Sequence, residues 1–131
     1  MRRLLKTLYL ENGELYATIG GNRILFANCE PKVEIYEDIH NIKTIGINGY
    51  KVKTRKFTIV LCNEIESSRN VDVELLNRIT EFNLLADIQR KDGVFERLTF
   101  DNLIPDELDL NGEWSFEVSQ YSDITRKLLN I

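Results

Sequence analysis

The chain has 131 residues, 43% of them hydrophobic and 29% charged, with a formal net charge of −4 and a sequence pI near 5.1. That length suits one domain and buries enough surface to fold without a metal or disulfide staple, and the composition is far from that of disordered chains. The acidic balance argues against a general nucleic-acid binder, and no apolar run approaches the roughly 20 residues of a membrane span.

The opening MRRLLKTLYLENGEL has the arginines and leucines of a leader, but Lys6 breaks its apolar run, Glu11 and Glu14 follow, and no small-residue cleavage site is present. It is expected to be a first strand, Leu4 to Leu10. A second strand, Glu14 to Ile19, would join it through a tight Asn12-Gly13 hairpin, because both residues tolerate positive φ. Arg23 to Ala27 would be a third. Val33, Ile35 and Ile39 then share one parity, with Lys32, Glu34 and Asp38 on the other, which predicts a strand with one wet face. The pattern continues through Ile45 and Ile47 to a turn at Asn48-Gly49.

In YKVKTRKFTIVLC the apolar parity changes: Tyr50 and Val52 are even, whereas Phe57, Ile59 and Leu61 are odd. A bulge or break between Thr54 and Phe57 would reconcile the two sets. After a loop at Glu64 to Asn70, helical spacing of Val73, Leu76 and Ile79 predicts a helix over Asp72–Phe82, with Asp72 as N-cap and Val71 stapled to Leu76.

Leu84, Ala86 and Ile88, then Val94, Leu98 and Phe100, predict a hairpin around Lys91-Asp92-Gly93. Trp114, Phe116 and Val118 predict a further strand. The tail SDITRKLLNI, capped at Ser122 or Asp123, reads as a short helix in preference to an arm docking elsewhere. Pro31 and Pro105 fall at predicted loop positions, where a missing donor costs little. The fold class is therefore a single domain, residues 1–131, mainly antiparallel β: a sandwich or squashed barrel with one central helix and a short C-terminal one.

Few residues in the chain point to chemistry. His40, the only histidine, has no nucleophile motif beside it and reads as a surface residue near a strand end. Cys29 and Cys62 lie in apolar runs and read as small buried hydrophobes, with a disulfide between them left open. One histidine and two separated cysteines do not suit zinc. Asp101, Asn102, Asp106, Glu107, Asp109, Asn111 and Glu113 supply oxygens but not the spacing of an EF-hand loop, so they read as a solvated acidic loop. The paired carboxylates Glu64 and Glu66, or Asp106 and Asp109, lack the aromatics of a sugar site. IGGN and GING are turn material and not phosphate cradles. No catalytic, cofactor or metal residue is assigned.

The strongest charge cluster is KVKTRK, in which Lys51, Lys53 and Arg55 share one face of an extended strand, with Lys56 beside them. Such a face guards a strand edge or meets another subunit; tracking phosphates, with Tyr50 and Phe57 as stacking surfaces, is the lesser reading.

One resemblance enters late in the chain. From Ile88 to Val118 the order is strand, K-D-G turn, a strand ending LTF, then DELDL and GEWSFEV. This resembles the "DG-x-x-x-x-L/I-T-F…DE-I/L-x-L" run of tail-tube and related tail proteins of bacteriophages and phage-like particles. It covers about a quarter of the chain, and the N-terminal third has no matching phrase.

The resemblance implies a β-sandwich or squashed barrel with a helix packed on it, in a protein that assembles into stacked rings, commonly hexameric. It implies that Lys51, Lys53, Arg55 and Lys56 meet Asp101, Asp106, Glu107 and Asp109 of a neighbour as complementary charge, and that Ile124, Leu128 and Ile131 dock on an adjacent subunit. The expected function is a non-enzymatic structural protein, a prophage tail or tail-connector component forming a homo-oligomeric ring. Its expected partners are itself and other structural proteins, with no nucleic acid or membrane, in the cytoplasm or in a particle assembled there. The alternatives are a small barrel holding one apolar molecule and a hydrolase with an unrecognised site.

Overall fold

A computed structural model describes residues 2–44, 47–61, 73–108, 113–119 and 122–131. Its strands are β1 (Arg2–Tyr9), β2 (Glu11–Ile19), β3 (Asn22–Cys29), β4 (Pro31–Thr44), β5 (Ile47–Leu61), β6 (Ile79–Gln89), β7 (Phe95–Leu108) and β8 (Trp114–Val118); its helices are α1 (Val73–Arg78) and α2 (Asp123–Leu129). All pairings are antiparallel, in the order β1-β4-β5-β8-β7-β6-β2-β3. The mainly β, antiparallel class is the one the alternating apolar pattern predicts.

The sheet folds over on itself into two layers. Phe26 of the edge strand β3 lies 5.5 Å from Trp114 of β8, centroid to centroid, so strands four places apart in the order face each other, and Phe82 of β6 lies 5.0 Å from Phe116 of β8. Between the layers Leu15, Val33, Ile59, Leu84, Phe100 and Phe116 are wholly excluded from water. At roughly 1.5–3 kcal/mol for each large apolar side chain, this core is the main stabilising element.

Two corners join the layers. At the first, β7 pairs with β6 as far as Leu103 and with β8 from Ile104 onward. The bend falls at Asn102, whose φ of 55° lies in the left-handed region that Asn tolerates. At the second, β1 runs into β2 and β3 into β4, so residues 2–38 make one bent ribbon paired as β2–β3 in one layer and β1–β4 in the other. Leu10 donates its N–H to the carbonyl of Pro31 across this corner, at 2.9 Å. Gly13 is obligatory there: a Cβ would sit 2.6 Å from the Cys29 carbonyl oxygen and 2.7 Å from Pro31 Cδ.

Several local expectations are corrected. Asn12-Gly13 does not turn a hairpin, because β1 pairs with β4; the two-residue turn is Gly20-Gly21, with φ of 58° and 80°, between the paired Ile19 and Asn22. Asn48 and Gly49 lie inside β5. No bulge interrupts β5 between Thr54 and Phe57: its register with β4 is continuous from Pro31↔Leu61 to Ile42↔Tyr50. The parity changes because the layer above ends, not because the strand slips.

The central helix stops at Arg78 and buries no residue, because Ile79 to Phe82 continue as β6 beside β2 and the start of that strand needs their apolar side chains. The proposed cap Asp72 and staple residue Val71 lie outside the described residues. Asp101 to Leu108 form strand, not loop, and Pro105 sits opposite Phe116 at a register shift, where among the described residues the other side of β7 has no strand partner. Pro31 opens β4 and is not in a loop.

The K-D-G turn is present: Gly93 has φ of 84°, and Asp92 Oδ1 accepts the N–H of Val94 at 3.1 Å. The tail is a helix, with Ser122 at its N-cap. Leu128 is fully buried in the chain's own core, with Ile124 and Ile131 packed against it. That corrects the expectation for Leu128, which is taken up by the chain's own core; Ile124 and Ile131 are half-buried beside it.

Candidate functional site: the basic arm

β1 pairs with β4 only as far as Arg2↔Asp38, and β8 pairs with β5 only from Phe57 to Val60. Beyond the Asp38–Thr54 pair, β4 and β5 continue together to their last pair, Thr44↔Ile47. They form a two-stranded arm about 20 Å long at ~3.3 Å per residue. Among the described residues no third strand flanks it. Such a ribbon is marginal by itself in water.

Its charges are divided between its faces. Directly paired residues on antiparallel strands share a face. Arg3 pairs with Glu37, Glu37 with Arg55, Ile39 with Lys53 and Asn41 with Lys51. All lie on the face that, nearer the body, carries the buried Val33, Ile35, Phe57 and Ile59. Where the second layer stops, this face turns from core to cation. Four cations, Arg3, Lys51, Lys53 and Arg55, stand there around one carboxylate.

Glu37 is 6% exposed and meets Arg3 Nη2 at 3.6 Å and Lys53 Nζ at 4.0 Å through Oε1, a buried atom with no hydrogen-bond donor. These pairs are long, and Arg3 and Lys53 are mostly solvated, so each is worth no more than about 1 kcal/mol. Lys51 and Arg55 make no ion pair among the described residues.

The opposite face is neutralised internally. Arg2 lies 3.9 Å from Asp38 and 4.4 Å above the Tyr36 ring, and Lys56 pairs with Glu117 at 3.8 Å. His40 lies on this face, exposed, its Nε2 3.5 Å from Thr54 Oγ1. Tyr36 donates to Glu34 Oε2 at 2.6 Å, and that bond raises the phenol pKa above its ordinary 10.0.

The expected assembly residues therefore separate. Lys51, Lys53 and Arg55 stand together on the arm, whereas Lys56 is on the other face and engaged. Asp101 pairs with Arg23 at 3.8 Å. Asp106 and Glu107 are exposed on the open side of β7 and make no ion pair among the described residues. Asp109, Glu64, Glu66 and Cys62 lie outside the described residues, so the disulfide question does too; Cys29 is buried.

Sequence reasoning missed Arg3 and Glu37. The signal was present, since Glu37 shares the parity of Val33 and Ile35. Glu34-Ile35-Tyr36-Glu37 also matches Glu14-Leu15-Tyr16-Ala17, in which the last position is core. In both segments the tyrosine donates to the glutamate two residues before it, at 2.6 Å.

No other chemistry gathers. Among the described residues no three His, Cys, Asp or Glu side chains converge as a metal site, and no helix is long and apolar enough to cross a membrane. An open depression of about 390 Å³ at the ribbon corner, lined by Asn12, Gly13, Glu14, Asn28, Cys29 and Glu30, pairs no base with a nucleophile. No protein-family model, curated protein or solved structure matches the chain.

Proposed function

We propose that this chain is a non-enzymatic assembly subunit whose working element is the β4–β5 arm, and that it serves as a tail or tail-connector component of a phage-like particle, in a homo-oligomeric ring. The observation that carries the reading is the arm itself: a two-stranded ribbon with one-sided charge, extended past the described strands that flank its base. A two-stranded ribbon is marginal by itself in water and gains support when another chain covers it. The phage assignment adds the Ile88–Val118 resemblance, whose K-D-G hairpin, LTF strand and DEL segment occupy β6, β7 and the turn between them.

The barrel reading is less well supported, because the space between the layers is filled by Leu15, Leu84, Phe100, Trp114 and Phe116. Light scattering tests the assembly reading. The intact protein should form a discrete oligomer, and replacing residues 40–52 by an Asn-Gly turn should abolish it while thermal unfolding stays cooperative. An intact protein that stays monomeric at high concentration sinks the reading.

A further inference from the structure

We infer that the basic face of the arm docks on the acidic open edge of β7, at Asp106 and Glu107, in a second copy of this chain, so that copies associate head to tail. The inference rests on the assembly reading and specifies its contact.

The two surfaces lie toward opposite ends of one sheet. Through Ser115, Glu107 stands level with Val60 of β5. Lys51 lies nine residues further along β5 toward the tip, about 30 Å away at ~3.3 Å per residue. The arm points away from its own acidic edge and cannot reach it. A contact between them joins different patches of two molecules, which generates a ring if the rotation closes and a filament if it does not.

Each surface is built for the other. On the arm, Arg55, Lys53 and Lys51 repeat every second residue, with half-buried Ile39 on the same face. On β7, the register skips between Pro105↔Phe116 and Glu107↔Ser115, leaving Asp106 as the extra residue of a bulge. Both acids are exposed beside Ile104, which is 52% exposed. Lys56, which charge alone would include, lies on the opposite face of β5 and drops out, and Asp101 faces Arg23 of its own chain. A polyanion such as nucleic acid is the competing occupant of a basic ribbon. The net charge of −4 disfavours it, since a chain with a cationic arm and an acidic total repels polyanions everywhere else.

The test is a charge swap in the full chain. One variant carries Lys51→Glu, Lys53→Glu and Arg55→Glu; the other carries Asp106→Lys and Glu107→Lys. Light scattering should show that each alone associates at least tenfold more weakly than the parent (~1.4 kcal/mol), and that an equimolar mixture assembles again. If the triple variant does not fold, Lys51→Glu mixed with Glu107→Lys reads the same contact. Parent-like oligomers from both variants singly, or folded variants that stay apart when mixed, overturn the inference and leave the assembly reading standing. A monomeric parent overturns both. Loss of association on the arm side alone, together with binding of a DNA duplex by the parent, assigns the arm to nucleic acid and overturns the inference.

Discussion

Asn83 accepts the backbone N–H of Asn102 through Oδ1 at 3.1 Å, at the point where β7 leaves one layer for the other. Asn83 is 1% exposed, and its amide nitrogen is a buried donor with no hydrogen-bond partner. The bond fixes the bend by satisfying a donor that the departing strand leaves behind. Replacing Asn83 by Leu should destabilise the protein by about 1 kcal/mol, because the Asn102 N–H loses its half-buried bond at the bend. Urea unfolding measures this. Asn102→Gly should be nearly neutral, because glycine adopts φ near 55° freely, whereas Asn102→Val should cost at least ~1–2 kcal/mol.

Gly13→Ala should lower stability by about 1–3 kcal/mol, since the added methyl meets backbone at 2.6 Å and a proline ring at 2.7 Å, and neither yields easily. Gly20→Ala has open space, and its penalty is the ~1–2 kcal/mol of a left-handed alanine. The two variants separate packing from backbone strain in one denaturation series.

Acid should weaken the outer face of the β2–β6–β7 layer. There Arg97 bridges Glu14 at 2.8 Å and Asp87 at 3.3 Å, and also donates to the carbonyl of Asn12. The Asn12 amide, followed by Arg97, holds the Asp87 carboxyl below its ordinary 3.8. A depressed folded pKa contributes stability above the unfolded value and loses it as pH falls through the folded one. Urea midpoints should therefore drop below about pH 4, and Asp87→Asn should flatten that limb.

Alkali should act through two tyrosines. The Glu14 and Glu34 carboxylates accept hydrogen bonds from Tyr16 and Tyr36 and raise both phenols above 10.0. A raised folded pKa gives stability that is present below the unfolded value and lost as pH climbs through the folded one. Ultraviolet titration should show these phenols ionising later in the native protein than in urea. Tyr16→Phe and Tyr36→Phe should each remove one late phenol.

Glu37→Gln should loosen the root of the arm. Arg3, Lys53 and Arg55 would then face one another with no counter-charge, and amide exchange across β4 and β5 should speed up. Global stability should change by about 1 kcal/mol or less, because the cations are mostly solvated.

The layers were legible where one face is dry. Val33–Ile35, Leu84–Ala86–Ile88 and Trp114–Phe116–Val118 alternate because each lines the core, and period two survives any pairing order. What sequence could not show was which strands pair. Asn12-Gly13 has the chemistry of a turn, but the structure uses it to pass between layers. Lys51, Lys53 and Arg55 were legible as one face; that this face continues the core side of β5 depends on where the opposing layer ends. The helix over Asp72–Phe82 failed beyond Arg78 because Ile79 and Phe82 fit either periodicity, and strand pairing to β2 decided it.

The bent ribbon of residues 2–38 has a kinetic consequence. Zippering outward from Gly20-Gly21 closes only short loops at each step, yet it lays down a strand pair in both layers before any distant segment arrives. The strands contributed by β5 through β8 then add to a preformed template. Mutations that slow this chain's folding should therefore cluster in its first 38 residues, with later ones mainly hastening its unfolding.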